Sequence, residues 1–293
     1  VRLNLNPALQ QLRVLDGAVL WLLLACLLVA QSLLLSLLAA DPSQAVSLCL
    51  AWYGALLVCR APLPMASRDM RPSLPGASLG TLLLLWVQWR VHLIAGNDPS
   101  IYLLPLVSLL GLLFLALPVK AMRPFLSPVL ILALLPGLQI FDFSSAAINL
   151  LRHINAGILR GALFLLGFPV RGDGLVLTLY DGGVEIWGSC SGLESVRQLL
   201  MIAIIFAIAF PMLRAWQNVL MCWTAICLAV MVNVVRIGLL LFLDGGALAD
   251  RQYWFESFHT GWPSLLFPGL ATYLFVSIYV LWMERQVAEL EDS

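Results

Sequence analysis

Three side chains in this chain stand where their types are costly and where, together, they could do chemistry: the thiol of Cys190, the guanidinium of Arg236 and the imidazole of His259. Cys190 lies in VEIWGSCSGLE, the stretch from Val184 to Glu194, a polar island between apolar runs. A strand-like run ends at Trp187, and a long apolar helix is expected from Leu193. Ser191-x-x-Glu194 has capping-box spacing, with Ser191 as the expected cap and Glu194 as its answer. A thiol just before a first helical turn stands where free backbone N–H groups and the positive end of the helix favour an anion. The thiolate is the form of cysteine that attacks carbonyls. An imidazole beside it moves protons, and a guanidinium stabilises a tetrahedral oxyanion, so the trio suits acyl transfer. Asn233, one turn before Arg236, is expected to orient that guanidinium or to donate to a substrate.

The elements that must position these groups are mostly membrane spans. The 293 residues are 61% hydrophobic and 11% charged, whereas soluble domains are nearer 45–50% and about 25%. Net charge is zero, so no basic surface argues for nucleic acid. The expected class is an all-α polytopic membrane protein of about eight transmembrane helices, with an interfacial amphipathic helix and a short extracytoplasmic β-hairpin. Residues 1–293 are expected to form a single integral membrane domain. Arg2 and Arg13 precede the run Val14–Ala40, which exceeds a signal-peptide core and is read as a retained first span. Further spans are expected near Ser43–Cys59, Leu79–Ala95, Ile101–Leu117, Phe125–Ile140, Leu193–Leu213, Trp216–Leu243 and Gly261–Met283.

Ser144 to Phe168 breaks this pattern. Asn149, Arg152, His153, Ala156 and Arg160 recur at helical spacing opposite Leu151, Ile154, Ile158 and Leu165, as in a helix lying in the interface. Its basic residues are expected to contact lipid headgroups. The runs Leu175–Tyr180 and Val184–Trp187 around Asp181-Gly182-Gly183 read as a hairpin whose second strand delivers Cys190. Asp244 to Phe258 reads as a polar, aromatic loop, which puts His259 at the start of the last span.

Basic residues fix the expected orientation. The N-terminus, the loop with Arg60, Arg68 and Arg71, the loop with Lys120 and Arg123, Arg214 and Arg285 alternate as cytoplasmic when both termini are inside. Cys190, the outer part of the span carrying Arg236, and His259 then share the outer face. Of the six cysteines, Cys26, Cys49, Cys59, Cys222 and Cys227 lie in or at the end of apolar runs, where cysteine acts as a small hydrophobe. No Cys/His spacing suggests a metal, and no cofactor is implied.

Other polar residues have two readings each. Arg90, with Gln88 and His92, could face the same cavity or anchor the interface beside Trp86 and Trp89. Arg197, seven residues after Cys190, could counter a substrate carboxylate or pair with Glu194. Read alone, Arg236 is a snorkelling anchor; its coincidence with Cys190 and His259 is what favours a site.

Cys190-Ser191-Gly192 opening a span, Asn233-x-x-Arg236 near the end of the next and His259-x-Gly261-Trp262 opening the last resemble the exosortase/archaeosortase family. The segment Asn97-Asp98-Pro99 with Pro105 fits loosely. The resemblance makes residues 79–283 an exosortase-like core and leaves 1–78 as N-terminal spans without a usable motif. It implies a cysteine protease-transpeptidase of the bacterial inner membrane. Such an enzyme cleaves a C-terminal sorting tail of exported proteins, a PEP-CTERM-type motif followed by a transmembrane helix and a basic cluster. It passes the new C-terminus through a thioester to a surface acceptor, often alongside exopolysaccharide production. Carried over, Cys190 is the nucleophile, Arg236 the essential arginine and His259 the third member, while Asn233, Arg197, Glu194 and Arg90 are candidates for substrate contacts. One departure is Glu194, which stands near a place where many members carry a basic residue. Two rivals stay open: a polytopic transporter or lipid- or glycan-handling protein with an anion-binding arginine cluster, and a non-catalytic scaffold. Both predict that Cys190 is dispensable.

Overall fold

The computed structural model describes Ala30 and residues 42–59, 73–94, 98–140, 145–180, 182–245 and 250–291. The expected first span, Val14–Ala40, lies outside the described residues apart from Ala30. The chain divides into two compact units, Val1–Ile140 and Phe141–Ser293.

In the first unit α1 (Pro42–Cys59) packs on α4 (Leu126–Ile140), and α2 (Leu74–Val91) packs on α3 (Leu104–Ala116). Ser73 caps α2: its Oγ accepts from Gly76 N at 3.2 Å, and Pro75 follows inside the first turn, where a missing N–H costs nothing. Trp52, Ile101, Phe125 and Leu132 fill the interior. Arg90 near the end of α2 pairs with Asp98 at 2.5 Å. Asp98 also accepts from Ser100 N at 2.9 Å, capping the short turn Pro99–Tyr102. These bonds, the backbone one first, hold the Asp98 carboxyl below the usual carboxylate range.

The second unit is built around one helix. α5 (Ser145–Leu165) leads into strands β1 (Val176–Leu179) and β2 (Gly182–Glu185). Then come α6 (Leu193–Ala209), α7 (Ala215–Gly245), α8 (Arg251–His259) and α9 (Leu266–Glu291). The 31 residues of α7 extend about 46 Å, well beyond a hydrocarbon core of about 30 Å. The hairpin, α5, α6, α8 and α9 all pack against it. At the turn between α6 and α7 the polar groups satisfy one another. Gln286 of α9 donates to Gln217 Oε1 at 2.8 Å and accepts from Leu213 N at 3.3 Å, while Tyr279 donates to Phe210 O at 2.8 Å.

The hairpin is antiparallel, with Leu179 opposite Gly182 and Val176 opposite Glu185. Gly182 and Gly183 therefore belong to the second strand and not to the turn expected of them. Their small size serves an approach: a Cβ on Gly182 would lie 2.4 Å from Gly245 N at the end of α7. Asp244 accepts from Gly183 N at 2.8 Å beside this contact. Leu177, Leu179, Val184 and Ile186 then pack with Leu159, Leu163, Ile237 and Leu241 in one core that includes Cys190.

Two further expectations are corrected here. Residues 251–259 are a helix, not a loop, so His259 ends α8 instead of opening the last span. Two basic residues of α5 serve the protein's own backbone, Arg152 donating to Ile186 O at 2.6 Å and Arg160 to Gly174 O at 3.3 Å, while His153 stays exposed with its Nδ1 2.8 Å from Asn149 O of the same helix. The exposed face of α5 carries Leu150, Ile154, Ile158 and Leu165. Of the polar residues of α5 only Asn155 is buried; Arg152 and Arg160 reach carbonyls at the hairpin from the edge of the buried face, while Asn149 and His153 stay exposed.

Among the described residues four helical stretches are long and apolar enough to cross a membrane: Val119–Leu138, Gly188–Ala209, Ala215–Gly245 and Trp262–Glu291. Shorter apolar helices run at Ser47–Cys59 and Ser100–Ala116. The protein is a mostly helical membrane protein, with a small two-stranded sheet among the described residues.

Candidate active site

The hairpin leaves its ladder at Glu185, and Gly188–Cys190 coil into a single 3-10 turn before α6. Cys190 N donates to Trp187 O at 2.9 Å and Ser191 N to Gly188 O at 3.2 Å, which closes the turn. The start of α6 differs from the capping box that the spacing suggested. Gly192 is the cap residue, in the left-handed region at φ 77°, and it places no side chain over the first turn. Ser191 Oγ instead accepts from Leu193 N at 3.3 Å, and Glu194 turns forward to pair with Arg197. A left-handed residue between Ser191 and Leu193 moves the cap by one position, so neither side chain meets its expected partner.

Cys190 is 6% exposed, and its Sγ lies 3.2 Å from His259 Nε2. His259 reaches this place from the last turn of α8, with its ring stacked on Phe255 at a centroid distance of 5.6 Å. Arg236 of α7 donates from Nη2 to His259 O at 2.5 Å. The guanidinium thus holds the backbone that carries the imidazole, and its Nε is buried without a hydrogen-bond partner among the described residues. Burial, and then the Arg236 charge, lower the His259 pKa below the usual value of 6.5. A ring so placed is neutral near pH 7 and can take a proton from the thiol.

Asn233 is 2% exposed and donates from Nδ2 to Cys190 O at 3.1 Å. It therefore meets the nucleophile's own backbone. Arg197 is ion-paired with Glu194 on α6, and Arg90 with Asp98 in the first unit. Asn155, absent from the sequence reading, enters here: its Nδ2 donates to Ser191 O at 2.8 Å from the buried face of α5. Its signal in the sequence was an asparagine one turn from Leu151, on the helix face shared with Arg152 and Leu159. Cys49, Cys59, Cys222 and Cys227 lie elsewhere and are in no disulfide among the described residues. Among the described residues no group of three His, Cys, Asp or Glu side chains is placed to hold a metal ion.

Fold and site define a membrane-spanning helical protein with a Cys–His pair at the head of one span and an arginine from the next beside it. The chain matches the transmembrane exosortase (EpsH) family over residues 60–276, and it belongs to that family. No curated protein and no solved structure matches it.

Proposed function

We propose that the protein is a membrane-embedded cysteine protease-transpeptidase acting on a C-terminal sorting tail of exported proteins. The observation that carries the proposal is the 3.2 Å contact between Cys190 Sγ and His259 Nε2. A neutral His259 takes the thiol proton as Sγ attacks the carbonyl carbon of the scissile peptide bond. Arg236 stabilises the resulting oxyanion with donors not engaged by His259 O. The C–N bond breaks, His259 returns the proton to the leaving amine, and the new C-terminus stays on Cys190 as a thioester. An amine of a surface acceptor, or water, then attacks the thioester; its proton passes to His259 and the thiol is restored.

The tail's helix enters the membrane beside the spans that carry the trio, its basic cluster stays cytoplasmic, and Glu194, Arg197 and Asn233 are assigned to its recognition or to holding the turn it meets. The mechanism uses no residue of the first unit, so a role for Arg90 toward substrate stays separate from it. About eight spans with both termini cytoplasmic would place the site outside the bacterial inner membrane. Against an anion-binding arginine cluster, Arg90 and Arg197 already face carboxylates.

The test is co-expression with a tripartite tail substrate, comparing wild type with Cys190→Ala and His259→Ala. Cleavage abolished by both changes is expected. Full cleavage in Cys190→Ala would reject the thiol mechanism.

A further inference from the structure

Cys190 O and Ser191 O precede the first intrahelical acceptor of α6, since the ladder begins with Val196 N donating to Gly192 O at 3.0 Å. Both carbonyls lie in the buried turn that carries the thiol, and a buried carbonyl without a donor costs about 1–3 kcal/mol. Two asparagines from opposite helices supply the donors. Asn233 of α7 takes Cys190 O, and Asn155 of α5 takes Ser191 O. Asn155 is 0% exposed, and its Nδ2 also donates to Leu151 O, one turn back, at 2.8 Å. Both of its N–H bonds are therefore committed, one to its own helix and one to the nucleophile's turn, which fixes the carboxamide in one orientation. Upstream, Arg152 on the same helix holds Ile186 O at 2.6 Å, so α5 grips the chain on both sides of Trp187-Gly188-Ser189-Cys190.

We propose that Asn155 is a positioning residue for the Cys190 reaction, acting through the Ser191 carbonyl to keep Sγ on His259. The inference rests on the reading of Cys190 as nucleophile. Burying an asparagine inside a helix is unfavourable when leucine would fill the same space. What the carboxamide adds is a directed donor that removes rotational freedom from the turn. With that donor gone the turn can rotate, and a shift of about 1 Å at a reacting atom costs up to ~100-fold in rate.

The experiment compares wild type, Asn155→Leu and Asn155→Ser, each normalised to folded protein in membranes. Leu keeps the volume; Ser, too short to reach Ser191 O, decides if the Leu variant fails to accumulate. Tail cleavage gives kcat and KM separately. A second readout follows iodoacetamide labelling, with adducts mapped to Cys190 by peptide mass spectrometry, and it needs no turnover. The expected result is a fall in kcat of about 10- to 100-fold with KM nearly unchanged, and slower labelling of Cys190. Wild-type kcat and wild-type labelling in the folded variants, with only the amount of protein reduced, would overturn the proposal. Cleavage that survives Cys190→Ala would instead reject the nucleophile, while the labelling comparison still reports whether Asn155 orders this thiol.

Discussion

A Cβ placed on Gly192 would lie 2.7 Å from Cγ of Asn233, the residue whose carboxamide holds the carbonyl of Cys190. The nucleophile's turn and the middle of α7 are thus packed backbone against side chain, with no room for a methyl group. Gly192 also sits at φ 77°, a region that costs an L-residue about 1–2 kcal/mol. Gly192→Ala is therefore expected to lower the thermal midpoint in detergent and to reduce tail cleavage by more than tenfold. Cleavage at the wild-type rate would mean that this contact does not position Cys190.

The hairpin is expected to tolerate as little at its outer end. Gly182→Val would drive a branched side chain into the backbone of Gly245, where even a Cβ comes within 2.4 Å of the nitrogen. The spans should still insert, since none of them contains this residue. The hairpin should lift from α7, become a better substrate for added protease, and take Cys190 out of register with His259. Limited proteolysis of right-side-out membranes checks the first effect and tail cleavage the second.

The pH dependence follows from His259. Burial and the neighbouring Arg236 charge each disfavour the protonated ring, so its pKa lies below 6.5. Activity that needs the neutral ring should be present above that pKa and be lost as pH falls through it, with the acid limb of kcat/KM below 6.5. Arg236→Gln removes the second penalty and leaves the first. In the residual activity of that variant the acid limb should move to higher pH. A limb that stays put or moves down would show that the guanidinium charge does not act on the ring.

Parts of this arrangement were legible in the sequence for plain physical reasons. Cys190, Arg236 and His259 interrupt or border apolar runs, and alternation of spans brings the ends of successive helices to one face. What the sequence hid were the donors of α5. Arg152 lies on a polar stripe, and periodicity alone cannot tell a side chain facing water or headgroups from one reaching a buried carbonyl; Asn155 lies among Ala156, Leu159 and Leu163, where a single polar letter sets no pattern. The 251–259 helix was hidden because Tyr253, Trp254 and Glu256 give it no consistent apolar face. The spacing of Ser191 and Glu194 matched a capping box, but a left-handed Gly192 between them could not be read from spacing. Gly182-Gly183 looked like a turn because glycine in a turn and glycine at a close contact leave the same letters.

The most direct test of the account is to trap the acyl-enzyme. Purified protein in detergent is mixed with a tail substrate and quenched in acid, and its intact mass is measured beside that of Cys190→Ala. The account predicts a hydroxylamine-labile adduct with the mass of the fragment N-terminal to the cleavage site, mapped to Cys190 and absent from the variant. Cleavage with no adduct on Cys190, or the same adduct in Cys190→Ala, would contradict it.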